Sequence, residues 1–95
     1  MAVLVQLTVT PATQQQFNEL DAAVGQSMTD AGGPPDGLMS HVVYPDGVGF
    51  VVAEVWRTES KGQQYLDEVL RPLIGELSLT AKGTDVRPIW SFARP

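Results

Sequence analysis

Between Gly37 and Arg57 the chain reads GLMSHVVYPDGVGFVVAEVWR, and no other stretch restricts the fold as tightly. Two runs of strand-forming residues flank the cluster Pro45-Asp46-Gly47-Val48-Gly49, which predicts a β-hairpin with a loop of roughly five residues. On the second strand Phe50, Val52 and Trp56 share one side, with Val51, Ala53 and Val55 on the other. On the first, Leu38 and Val42 oppose Met39 and Val43. A sheet with one face in water alternates apolar with polar residues. Here both sides are apolar, so the hairpin demands helices on one face and a further cover on the other.

The flanking sequence supplies the helices. Residues 2–9 alternate as a strand, with Val3, Val5, Leu7 and Val9 on one face. Thr13-x-x-Gln16 is a capping box, and Phe17, Leu20, Val24 and Met28 recur at helical spacing behind it. The run Gly32-Gly33-Pro34-Pro35-Asp36-Gly37 cannot continue a helix and forms a loop, the expected mouth or lid of any pocket. After the hairpin, Thr58 or Ser60 caps a second helix whose buried side is Tyr65, Leu66, Val69, Leu70, Leu73 and Leu77. Pro72 should kink or split it. Lys82-Gly83-Thr84 reads as a turn and Val86–Phe92 as a last strand, which Pro88 confines to a sheet edge. The order β-α-β-β-α-β is the split arrangement of ferredoxin-like α+β folds: an antiparallel sheet, first and third strands central, two helices on one face. The other face is then bare and apolar, and a second copy of the chain, sheet against sheet, is the economical cover. We expect a homodimer.

Ninety-five residues make one domain, 1–95. Cysteine is absent, so no disulfide can reinforce so small a core, and the chain suits a reducing compartment. The opening MAVLVQLTVT has no basic start or cleavage site and is too short to span a bilayer. The expected location is cytoplasmic. A net charge of −5 with scattered Lys and Arg excludes a nucleic-acid surface or an anionic membrane surface. RNA-recognition modules share this element order, and Gly47, Gly49, Phe50 and Val51 fall in register with part of their signature. However, Asp46 stands where a base is needed, Val48 and Ala53 replace stacking aromatics, and Leu4 replaces another on the first strand. An acidic sheet without rings does not hold RNA.

With Gly37-Leu38-Met39-Ser40-His41-Val42, Val52-Ala53-Glu54-Val55-Trp56-Arg57-Thr58-Glu59-Ser60 and Leu70-Arg71-Pro72-Leu73, the chain resembles the dimeric α+β barrel superfamily, in particular small antibiotic biosynthesis monooxygenase-like proteins. The likeness runs over nearly the whole chain in element order. It implies a dimeric α+β barrel. The same superfamily holds cofactor-free oxygenases of polycyclic phenols, haem-degrading enzymes, isomerases, cyclases and members without known activity, so fold alone does not choose among them.

His41, the chain's only histidine, is the candidate base for a phenolic or enolic proton. Glu54 is the candidate carboxylate that orients it. Pairing Tyr44 with Phe50 puts His41 opposite Ala53, whereas a shift of one puts it opposite Glu54, and the sequence leaves both open. A carboxylate in an apolar run must meet His41, Arg57, Arg87, a backbone donor, water or an ion-pair partner on a second subunit. Tyr44, Phe50, Trp56, Tyr65 and Trp90, with Phe17, are candidates to line an apolar pocket for an aromatic or polyketide-like molecule. In the alternative reading they are simply core. A cofactor-free oxygenation suits this inventory, because an electron-rich substrate supplies the electrons and the protein needs a dry pocket, a base and a few donors. We therefore expect no cofactor. A metal site is not expected either, since no His or carboxylate cluster has ligand spacing. Gly32-Gly33-Pro34-Pro35 lacks the lysine and backbone donors of a phosphate loop. Two readings stand: a monooxygenase-like enzyme, or a non-catalytic small-molecule-binding or dimerisation module in which His41 and Glu54 are interface contacts.

Overall fold

The alternation of Val3–Val9 becomes the central strand β1 of an antiparallel sheet in the computed structural model, which describes residues 1–93. The chain continues through α1 (Gln14–Asp30), β2 (Leu38–Asp46), β3 (Gly49–Trp56), α2 (Glu59–Tyr65), a π-helical turn (Leu66–Leu70), α3 (Arg71–Glu76) and β4 (Ala81–Pro88). Strand order is β2-β3-β1-β4, the ferredoxin-like arrangement with β1 and β3 inside. Each edge strand carries one proline, Pro45 and Pro88, at positions where a missing N–H is tolerated.

Val3, Val5, Leu7 and Val9 point to the helices and are buried, together with Phe50, Val52 and Trp56 of β3. Leu20 and Val24 of α1, and Tyr65, Leu66, Leu70 and Ile74 of the second helical stretch, close this layer. The Thr13–Gln16 capping box forms as the sequence predicts, with both reciprocal hydrogen bonds present. Thr58, not Ser60, caps α2. Pro72 splits the second helix, and the π turn shows how. Arg71 N–H reaches the carbonyl of Leu66, five residues back, so the ladder widens just before the residue that cannot donate.

Four local expectations need correction. The hairpin loop is two residues, Gly47 and Val48, because Asp46 already pairs with Gly49. Gly47 has φ +56, the left-handed value that such turns assign to a glycine in first position. Pro45 and Asp46 looked like turn residues but end an edge strand. Lys82-Gly83-Thr84 is strand, not turn: Leu7 pairs with Thr84 and Thr8 with Lys82, leaving Gly83 as the extra residue of a bulge at φ +61. The last strand therefore runs Ala81–Pro88, not Val86–Phe92. A second bulge falls at Met39, since Leu38 pairs with Trp56 but Ser40 with Val55. It changes the phase of β2. Leu38 joins the helix side and Val42 the other, so the two do not share a face as the unbroken alternation suggested.

The face away from the helices bears Val51, Ala53 and Val55 on β3, with Leu4, Val42 and Tyr44 beside them. Gln6, Thr8 and Ser40 interrupt this patch, and Asp85 and Arg87 of β4 close one edge with a 2.7 Å ion pair. No helix of the described residues is long and apolar enough to cross a membrane.

Candidate functional site

The register answers the question the sequence left open. Tyr44 pairs with Val51, and His41 with Glu54. Directly paired residues share a face, and Trp56, two positions from Glu54, lies on that same side. Val5 on β1 is the other neighbour of Glu54. A valine offers nothing to a carboxylate, so polar partners must come from β2 or along β3 itself. They do. Glu54 Oε2 accepts from His41 Nδ1 at 2.8 Å, and Oε1 accepts from Trp56 Nε1 at 3.1 Å. Glu54 is only 3% exposed, so these two donors replace the water it gives up. Arg87 is not a partner: it lies across from Leu4 on the opposite face and pairs with Asp85.

A carboxylate can only accept, so Nδ1 carries the proton, and in the neutral ring Nε2 is left as an acceptor. The His41 side chain is 28% exposed. Its hydrogen bond to Glu54 raises its pKa above the ordinary 6.5, opposed by burial and reinforced by the charges of Glu54 and Asp21. The arrangement is thus a ring held in one tautomer and able to accept a proton, next to a carboxylate that stabilises the imidazolium formed.

Tyr65 lies on the other side of Trp56, its ring 5.4 Å away and tilted by 40°. Its hydroxyl is buried and has no hydrogen-bond partner among the described residues. Burial, followed by the Glu54 charge, pushes its pKa up to about 12, so it stays a phenol. Gly62 of α2 lets the helix approach this stack, since a Cβ there would lie 2.9 Å from the Trp56 ring. The loop before β2 sits over the same rings. Pro35 and Asp36 border a groove of about 270 Å³ floored by Trp56 and Tyr65, and Asp36 reaches Lys61 at 3.1 Å.

The sequence candidates separate into those that meet and those that do not. His41, Glu54, Trp56 and Tyr65 come together on the helix side. Phe50 lies on the same side four pairs along, its ring edge-on to Phe17 at 5.5 Å. Tyr44 projects to the bare face, where its hydroxyl accepts from Gln6 Nε2 at 3.3 Å. Trp90 is 97% exposed beyond β4 and lines a shallow depression with Met1, Met39 and Phe92. The sequence offers Trp56 as a wall or donor of a pocket but does not point to Glu54 as the acceptor, although Glu54-x-Trp56 on one strand puts both on one face. Asp21, which acts on His41 from α1, had no sequence signal beyond its helical phase.

A cavity of about 320 Å³ opens between the start of α1 and the hairpin turn, bordered by Ala12, Phe17, Val43, Tyr44 and Phe50. His41 borders a crevice of about 10 Å³. Among the described residues, no three His, Cys, Asp or Glu side chains are grouped to hold a metal ion.

No protein-family model matches the sequence, and no curated protein matches it significantly. Solved structures do match the fold. Rv0793 from Mycobacterium tuberculosis superposes with a TM-score of 0.65 at 20% identity, covering 99% of this chain and 100% of that one. A putative antibiotic biosynthesis monooxygenase from Deinococcus radiodurans gives 0.62 at 14% identity, covering 100% and 98%. SnoaB from Streptomyces nogalater, a cofactor-independent oxygenase, gives 0.61 at 14% identity, covering 96% and 93%. The chain has the fold of the antibiotic biosynthesis monooxygenase-like α+β proteins.

Proposed function

We propose that the protein is a small-molecule enzyme of the monooxygenase-like type, oxidising an aromatic or polyketide-like substrate without a resident cofactor, as a cytoplasmic homodimer joined through its sheet faces. The observation that carries this reading is the 2.8 Å bond from His41 Nδ1 to a buried carboxylate whose second oxygen is already held by an indole. That pair fixes the tautomer, leaves Nε2 to take a proton, and stabilises the resulting cation. A phenol or enol that gives its proton to Nε2 becomes an electron-rich anion. Molecular oxygen is the oxidant: a carbon–oxygen bond forms, a ring methylene is oxidised to a carbonyl, and the second oxygen atom leaves as water. Phe50 contributes a ring wall of the larger cavity and Tyr44 borders it from β2 with its ring on the opposite face, Trp56 and Tyr65 stand behind Glu54, and Trp90 has no part. The likeness to a cofactor-independent oxygenase supports the reaction class only as far as fold can.

The test is oxygen uptake with polycyclic phenols and hydroxylated anthrones. A His41→Ala protein should lose about 10²- to 10⁴-fold in turnover, the usual share of a positioned base. Full turnover in that variant removes His41 from the reaction.

A second reading is favoured by a specific observation. The crevice beside His41, about 10 Å³, is at the lower limit for one water, while the cavity of about 320 Å³ is bordered by other residues. A non-catalytic binding module would hold an aromatic molecule in the larger cavity and leave it unchanged, with the His41–Glu54 pair serving the fold alone.

A further inference from the structure

The two hollows on the helix side share a wall. Phe17, Val43 and Phe50 border both the cavity of about 320 Å³ and the crevice beside His41. Two of these three are fixed. Phe50 is 4% exposed and paired on both sides, to Val9 and Pro45, and Val43 is held in the ladder opposite Val52. Phe17 is different. It is half-buried in the first turn of α1, packs against the core from its edge, and meets Phe50 edge-to-face at 5.5 Å and 74°. Beyond the area it buries, such a ring contact biases a rotamer by about two- to tenfold, and a ligand ring that takes the place of Phe50 can offset it.

The outer cavity also has a readable chemistry. No charged side chain borders it, so it suits a neutral molecule. Two rings and a valine suit a flat apolar body. Near its rim, the Thr13 hydroxyl accepts from the Gln16 N–H and keeps its own proton to donate, and Gln14 gives its amide N–H to Asn18 and keeps its oxygen to accept. Those groups suit a carbonyl or hydroxyl on the ligand.

We propose that Phe17 is a gate: by swinging off Phe50 it joins the outer cavity to the His41 crevice, so that a flat, neutral aromatic molecule lies in the cavity with its phenolic or enolic hydroxyl at His41. The use of that hydroxyl rests on the function proposed above; the path between the hollows does not. Phe17 is a specificity-determining residue, since its swing sets how wide a ring system reaches the base.

The experiment is a two-dimensional NMR titration of the full chain with 2-naphthol, following the Ala12 and Val43 amides for the cavity and the His41 ring for the crevice. In the native protein all three should move together. Phe17→Leu should enlarge the His41 displacement about two- to tenfold at equal cavity occupancy, matching the bias lost with the ring contact. Ala12→Phe, which fills the cavity from its rim and leaves Phe17 intact, should abolish all three responses, and it decides the matter if Phe17→Leu does not fold. A His41 response that survives Ala12→Phe, or that appears without Ala12 and Val43, overturns the gate, as does a cavity that does not take 2-naphthol. Phe17→Leu that leaves His41 unmoved while the cavity fills overturns it too. If the gate behaves as described and His41→Ala still turns over a substrate fully, the base assignment fails and the gate stands.

Discussion

Glu54→Gln is the most informative single change, because it keeps the shape of the side chain and reverses the logic of the pair. The glutamine oxygen can still accept from Trp56 Nε1, which turns its NH₂ toward His41. The imidazole then has to accept at Nδ1 and carry its proton on Nε2, the wrong tautomer for a base. Hydrogen bonds to a charged partner contribute roughly 1.5–3 kcal/mol and neutral ones roughly 0.5–1.5, so the exchange should cost about 1 kcal/mol or somewhat more. For a domain of this size that is about 4–8 °C in Tm per kcal/mol. The pH dependence has a definite sign. The folded pKa of His41 lies above its ordinary 6.5, so the folded chain binds that proton more tightly than the unfolded chain does. The stabilisation is fully present below 6.5 and is lost as pH rises through the folded value. The native protein should therefore lose more stability than Glu54→Gln as pH rises through that window, and the gap between them should narrow. Because the chain has one histidine, a single ring signal reports the titration directly. Its midpoint should fall in Glu54→Gln, and turnover should drop about 10²- to 10⁴-fold. An unchanged midpoint would refute the reasoning.

Other consequences follow from the same geometry. His41→Leu with Glu54→Leu removes both members of the pair and should be at least as stable as the native chain, with either single change less stable; calorimetry showing the double variant to be the weakest would contradict this. Tyr65→Phe deletes a buried hydroxyl that has no partner, so chemical denaturation should find it neutral or up to about 1 kcal/mol more stable. Gly62→Ala should destabilise by about 1–2 kcal/mol despite the better helix propensity of alanine, because its Cβ meets Trp56 at 2.9 Å; a raised Tm would show that α2 can retreat freely. Ala53→Glu puts a charge in the middle of the bare face and should turn the proposed homodimer into a monomer by sedimentation, while a native chain that already sediments as a monomer removes the dimer altogether.

Much of the fold was legible because it rests on periodicity. The alternation of Val3–Val9, the Phe17–Leu20–Val24 stripe and the Thr13–Gln16 box each specify one local outcome, and each appears. What was not legible depends on single extra residues. Gly83 and Met39 each shift a strand by one position, and no composition signal separates a bulged glycine from a turn glycine. Pro45 misled for a related reason: proline favours turns and sheet edges alike, and β2 becomes an edge only through the order of the whole sheet. The site inherits these limits. His41 and Glu54 were visible as residue types, but their meeting depends on the hairpin register. Trp90 lies apart from the other candidates because the strand expected to carry it stops at Pro88.

The register is thus where fold and chemistry join. Alternate residues of β3 face opposite ways, so Val51, Ala53 and Val55 form an apolar stripe on the side away from the helices while Glu54 and Trp56 turn toward them. A slip of one residue would exchange the two sets, turning Trp56 out of the core and separating Glu54 from its pairing with His41. Two features oppose that slip. The tight Gly47-Val48 turn fixes the pairing at one end, and Gly49 sits so close to Val9 that a Cβ there would come within 2.1 Å of its carbonyl oxygen. At the other end the Met39 bulge returns Leu38 to the side of Trp56, which lets β2 cover the indole without moving His41 off Glu54. A buried carboxylate adds little stability by itself and becomes costly if its donors move. The hairpin therefore has to be built around the position of Glu54, and the apolar stripe on its back follows from the same alternation.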